Sequence, residues 1–153
     1  MVEQIPKIGI GLIVQRGNTI LLGQRKGSHG AGEFGGPGGH FEHGESLESS
    51  ILRELKEEAG PDLRVKDLGL LCITNLTRYM PKHYLDVGMV AEYVDGEPVV
   101  MEPDKLTSWG WYDLDNLPSP LFGCVANYVI ALKSGKRLEL GVQYFTNEDL
   151  AER

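Results

Sequence analysis

The sequence has little cysteine, little positive charge and no long apolar run, and each shortage excludes something. Cys72 and Cys124 are its only cysteines, far apart and in no metal-ligand spacing, so neither a disulfide framework nor a thiolate metal site is expected. Both read as buried thiols in a reducing compartment. Lys and Arg number 15 against 22 Asp and Glu, a net charge of −7. That argues against a nucleic acid polymer as partner, because phosphate-backbone binding needs clustered cations. A bound metal ion can still reverse the local field for a small polyanion. No apolar stretch approaches the roughly 20 residues that cross a bilayer, and the first residues lack a basic segment followed by an apolar one. No membrane partner and a cytoplasmic location are the expectations. At 153 residues the chain has room for a single domain, 1–153.

Apolar alternation and turn residues predict strands at 8–15 and 19–24 joined by a turn at Gly17-Asn18, then at 68–75, 84–93, 99–101 and 108–113. Between the second and third lies a stretch holding Gly27, Gly30, Gly32, Gly35, Gly36, Gly38 and Gly39. So much glycine fits neither helix nor packed strand. Inside one short domain it reads as a shaped loop that lets backbone approach a ligand. Residues 46–59 form the clearest helix, with Glu45 or Ser46 as cap, Gly60 suited to the left-handed C′ position and Pro61 as stop. Leu47, Ile51 and Leu55, with Leu52 beside them, supply its apolar stripe. A second helix is predicted at 121–133, and the tail from Ser134 gives no firm signal. This order supports an α/β or α+β architecture with a mixed sheet packed between helices.

The first helix carries Glu54, Glu57 and Glu58 on one side. Like charges three and four residues apart cost about 0.2–0.5 kcal/mol per pair. Glu57 and Glu58 also sit in the last turn, where the helix dipole disfavours anions. A hard divalent cation relieves both, and Mg²⁺ is commonly held by a few carboxylates plus substrate phosphates.

Residues 38–60, GGHFEHGESLESSILRELKEEAG, resemble the Nudix box, G-x5-E-x7-R-E-U-x-E-E-x-G-U. Gly39, Glu45, Arg53, Glu54, Leu55, Glu57, Glu58 and Gly60 match, and only the last aliphatic position departs, being Pro61. Chance agreement at eight such positions is on the order of one in 10⁹. The segments LLGQRKGSHGAG (21–32) and MEPDKLTSWGWYDLDNLPSPLF (101–122) are similar to the MutT-type nucleoside triphosphate pyrophosphatases of that family. The likeness runs from about residue 7 to 125.

The resemblance implies a Nudix fold, an α/β/α sandwich. It implies Mg²⁺-dependent (or Mn²⁺-dependent) hydrolysis of a (deoxy)nucleoside triphosphate to the monophosphate and pyrophosphate. The alternatives are another diphosphate substrate (a nucleotide sugar, dihydroneopterin triphosphate or a prenyl diphosphate) and a non-catalytic nucleotide-binding regulator. Glu54, Glu57, Glu58 and the Gly39 carbonyl are the implied metal ligands. Arg53 is expected to orient the carboxylates, and Glu45 to assist or merely cap the helix. Glu58 is the first candidate for general base, and Glu102, on the loop before the tryptophan-bearing strand, the second.

Arg25 and Lys26 are placed to grip phosphates. Phe122, Leu121 and Tyr84 are candidate walls of a base pocket. His40 and His43 lack the partners a zinc site needs. Trp109 and Trp111 alternate on a strand and are expected in the core. Gly36 stands where relatives carry a bulky aliphatic and is expected to widen the pocket floor. Relatives often form homodimers, and the same is expected here.

Overall fold

The structure, a computed structural model, describes residues 4–27 and 29–138. Chain order is β1 (Lys7–Arg16), β2 (Thr19–Arg25), β3 (Phe34–Gly35), β4 (Gly38–His40), α1 (Leu47–Ala59), β5 (Arg64–Leu76), β6 (Tyr84–Asp95), β7 (Leu106–Asp113) and α2 (Gly123–Ser134). The strands form one mixed sheet in the order β3-β2-β1-β6-β5, with β4 pairing β1 and β7 pairing β2.

β1 organises the rest. Its residues Ile10, Leu12 and Val14 enter one core with Ile51, Leu55 and Ala59 of α1, whereas Ile13 enters a second core with Cys124, Val125, Tyr128 and Val129 of α2. The period-2 alternation of a strand buried on both faces thus makes the predicted helix–sheet–helix sandwich. On one flank β1 pairs with β6 in parallel from Lys7 to Gln15. On the other it meets β2 at Gln15 and Arg16, and β4 at Gly9 to Gly11. This change of partner splits the sheet and opens a cleft beside the glycines of β1.

Ser46 is the cap of α1, its side chain accepting from the Ser49 amide. Glu45 does not cap and turns instead to Arg53. Leu47, Ile51 and Leu55 face the core as expected, but Leu52 is 46% exposed; the buried stripe is narrower than the pattern suggested, with Ser50 inside it. Gly60 has a positive φ of 90° with ψ of 165°, so it leaves the helix extended rather than left-handed.

Three other boundaries differ from expectation. Residues 99–101 are not a strand. Val99 N–H donates to Ala59 O (2.9 Å) and Met101 N–H to Glu58 O (3.4 Å), so this segment supplies the donors that the last carbonyls of α1 lack within the helix. β5 begins at Arg64, because Asp67 (φ 53°) and register shifts carry the pairing past an irregular stretch. α2 starts at Gly123, leaving Leu121 in a bridge to Phe34. The unassigned tail lies outside the described residues beyond 138. No helix among the described residues is long and apolar enough to cross a membrane.

Glycine placement explains how α2 sits so close to the sheet. Gly11 and Gly88 are register partners on β1 and β6. A Cβ on Gly11 would stand 2.4 Å from the Tyr128 hydroxyl, and one on Gly88 2.4 Å from a ring carbon. The Tyr128 ring therefore lies on bare backbone. Gly88→Ala is expected to cost about 1–3 kcal/mol by overpacking, lowering Tm by roughly 3–10 °C for a domain of this size. An unchanged melting curve would place the ring elsewhere.

Candidate active site

The cleft at the split in the sheet is a cavity of about 430 Å³, within the range of small-ligand sites. The register puts His40, Gly9 and Asp86 in one row across β4, β1 and β6, with Gly38, Gly11 and Gly88 in a parallel row. Gly9 and Gly11 border the cavity without side chains to fill it.

Glu58 enters from the end of α1. Its Oε2 accepts from the Gly38 amide at 3.0 Å. Burial, then the charges of Glu54 and Glu102, push its carboxyl up to about 8 against the opposing pull of that amide and Arg25. Glu54 is 8% exposed and also shifted upward, chiefly by burial. It packs against Gly39, where a Cβ would lie 2.3 Å from the Glu54 Oε1. Glu102 borders the cavity and pairs with Lys105 at 2.9 Å.

Arg53 lies behind these acids. Its guanidinium bonds to Glu45, to Glu54 Oε1 at 2.9 Å, to Glu57 Oε2 at 3.2 Å and to the His40 carbonyl at 3.2 Å. Its donation holds the Glu45 carboxyl down to about 2. Arg53 thus touches three of the acids, Glu45, Glu54 and Glu57. Glu57 is drawn to Arg53 and half exposed rather than turned to the cavity. Consequently no three Asp, Glu, His or Cys side chains among the described residues already surround one point in ligand geometry. The donor set still fits a hard divalent cation. It is all oxygen, burial raises the proton affinity of Glu54 and Glu58, with the Glu54 charge adding to the shift at Glu58, and glycine at 39 leaves the approach clear. Glu54, Glu58 and Glu57 are the side chains that would hold it.

The cavity lining also includes Phe122, Tyr84 and His29, but not Tyr79. Tyr79 stacks on Phe122 (centroids 5.1 Å, 8°), and His29 stacks on Tyr84 (6.0 Å, 17°). Arg25 lies 4.0 Å over the Phe122 ring, and its buried Nε has no partner. Phe122, Tyr84, Arg25 and Lys26 all border the cavity. Lys26 is exposed and donates to Pro103 O at 3.0 Å. Leu121 does not border the cavity; it packs into the second core, because the bridge to Phe34 turns it inward.

Gly36 needs correction as well: a Cβ there would stand 2.4 Å from the Leu12 carbonyl. Its glycine permits close approach to β1 rather than widening the floor. Trp109 and Trp111 both pack against the first core, and Trp109 also donates to Glu58 O at 3.1 Å. His40 is bonded to Tyr84 Oη at 3.1 Å and His43 is exposed, so they form no zinc pair.

Several cavity residues escaped the sequence reading: His29, Asp86, Cys124 and Tyr128. Asp86 had a visible signal, an acid on the buried side of a strand, between Tyr84 and Gly88 at period 2. The first part of the glycine-rich segment is a shaped loop, tied by Arg25 N–H to Glu33 O (2.8 Å) and Gly32 N–H to Arg25 O (2.8 Å). Its later part, against expectation, forms the short strands β3 and β4, where bare glycine lets the backbone pair closely with β2 and β1. Glu33 also pairs with Arg78 at 2.9 Å and accepts from Tyr79.

An α/β/α sandwich with a split mixed sheet and an acid-rich helix at the cleft defines the Nudix class of fold. The NUDIX domain family matches residues 5–130, and the chain belongs to that family. Among its relatives is the NAD-capped RNA hydrolase NudC of Stutzerimonas stutzeri, 33% identical over 140 residues, which are 90% of this chain and 48% of that protein. The ADP-ribose pyrophosphatase of Methanocaldococcus jannaschii is 32% identical over 117 residues, 76% of this chain and 68% of that protein. The crystal structure of a MutT NUDIX hydrolase from Burkholderia pseudomallei superposes with a TM-score of 0.78 at 32% identity, covering 84% of this chain and 98% of that one. The chain spans about half the length of the NudC relatives it matches.

Proposed function

We propose that this protein hydrolyses the diphosphate linkage of a nucleotide, with a (deoxy)nucleoside triphosphate cut to the monophosphate and pyrophosphate as the first reading. One observation carries it: a single cavity is lined by Glu58 and Glu102, by Arg25, whose buried Nε has no partner, and by a set of aromatic rings. Acids with an anion-binding arginine suit a polyphosphate, and the rings suit a base. Magnesium, when bound by the α1 glutamates, neutralises phosphate oxygens and acidifies water. Glu58, an acid bordering the same cavity, takes the proton as the water oxygen bonds to phosphorus. The bond from that phosphorus to the bridging oxygen breaks, and the leaving phosphate keeps the electron pair. Arg25 and Lys26 hold the charge that departs.

A second reading, cleavage of a dinucleotide-type diphosphate, is favoured by the names of the relatives, a NAD-capped RNA hydrolase and an ADP-ribose pyrophosphatase. Purified protein should be incubated with Mg²⁺ and, separately, each triphosphate, ADP-ribose and NAD. Pyrophosphate from triphosphates is the expected product. Orthophosphate release would overturn the reading, and far faster turnover of ADP-ribose or NAD would favour the second.

A further inference from the structure

Asp86 is a buried acid that the reaction above does not use. It is 6% exposed, on β6, in the row with Gly9 and His40. Among the described residues it forms no ion pair with Lys, Arg or His. Its partner is a donor on α2: the Tyr128 hydroxyl donates to Oδ2. That bond favours the ionised form against the larger effect of burial, which raises its pKa. Its other oxygen faces Gly9, 3.2 Å from where a Cβ would stand. A buried carboxylate without a countercharge is costly unless a ligand's donors complete it. The structure places this one at a cavity whose walls include Tyr84, Phe122 and His29.

We propose that Asp86 determines base specificity in this cavity, accepting hydrogen bonds from the ring N–H and exocyclic amino group of guanine while the aromatic residues flank the ring faces. The inference rests on the nucleotide-hydrolase reading. An ionised carboxylate only accepts, and its two oxygens offer about four lone-pair sites, so the bond from Tyr128 leaves capacity for two adjacent donors. Guanine presents two donors side by side. Adenine and cytosine present a donor beside an acceptor, which would set a lone pair against a carboxylate oxygen. Tyr128 has a supporting role: lying on Gly11 and Gly88, it fixes the carboxylate's orientation from behind.

The test compares GTP, ITP (guanine without its amino group), ATP and CTP with Mg²⁺, reading kcat/KM and pyrophosphate release, for the wild type and Asp86→Asn. Direct titration of GMP and AMP without metal supplies a readout independent of chemistry. The wild type is expected to favour GTP over ATP by roughly 10–100-fold, as a good bidentate pair allows, with ITP between them. It should also bind GMP more tightly than AMP. Asp86→Asn should flatten the ranking mainly through KM. Equal handling of GTP, ITP and ATP by the wild type overturns the assignment and needs no variant. A uniform loss on all bases in Asp86→Asn overturns it too, since that marks a structural role only. Cleavage without base preference leaves the hydrolase reading standing, whereas GMP selectivity without cleavage leaves Asp86 standing and removes the hydrolase reading.

Discussion

Glu58→Gln is expected to fold like the parent and lose on the order of 10²–10⁴-fold in kcat, the range for removing a general base. The amide is nearly isosteric, and its oxygen can still accept from the Gly38 N–H that now bonds Glu58 at 3.0 Å. What disappears is a negative charge that burial and the neighbouring Glu54 and Glu102 already disfavour. Thermal stability should therefore stay level or rise while activity collapses, the opposing movement expected where function holds a strained charge. Circular dichroism melting beside a pyrophosphate-release assay reads both quantities. If the variant keeps more than a tenth of the parent's kcat, neither proton acceptance nor an essential metal contact belongs to this side chain.

The second large effect is expected from Gly39→Ala. No left-handed φ is found at Gly39, so its backbone accepts alanine, but the added Cβ would stand 2.3–2.6 Å from the carboxylate atoms of Glu54. That carboxylate has little room, being 8% exposed and bonded to Arg53 at 2.9 Å. Displacing it should raise the Mg²⁺ concentration for half-maximal activity by roughly 10–100-fold, the usual penalty for disturbing the support of a metal site. Manganese titration by calorimetry should weaken in parallel, with GMP binding unaffected in the absence of metal. An unaltered metal requirement would remove Glu54 from the ligand set.

The acids could be found from sequence because their spacing is a covalent fact. A helix at 46–59 places Glu54, Glu57 and Glu58 on one side whatever surrounds it, and the Nudix box marks the same residues. Their individual directions were not legible. Glu57 turns to Arg53, one turn back on the same helix, and Glu58 to the Gly38 amide, which arrives from β4. Residues 99–101 show the same limit on secondary structure. Their β-branched composition favours a strand, but the carbonyls at the end of α1 claimed their amides first. Leu121 reads as a pocket wall until the boundary of α2 is known, since two residues of helix more or less decide which way it faces.

The two helices, the long strands, the alternation that buries β1 on both faces and the acidic box were determined along the chain, by periodicity and local spacing; the short strands β3 and β4 were not. The cavity was decided only in three dimensions. It needed β1 to change partner from β2 to β4, Gly11 to meet Gly88 beneath Tyr128, and Asp86 to arrive beside Gly9 from a strand some seventy-five residues away. Contacts between residues distant in sequence leave no periodic trace, because each partner alone looks like an ordinary strand or helix position.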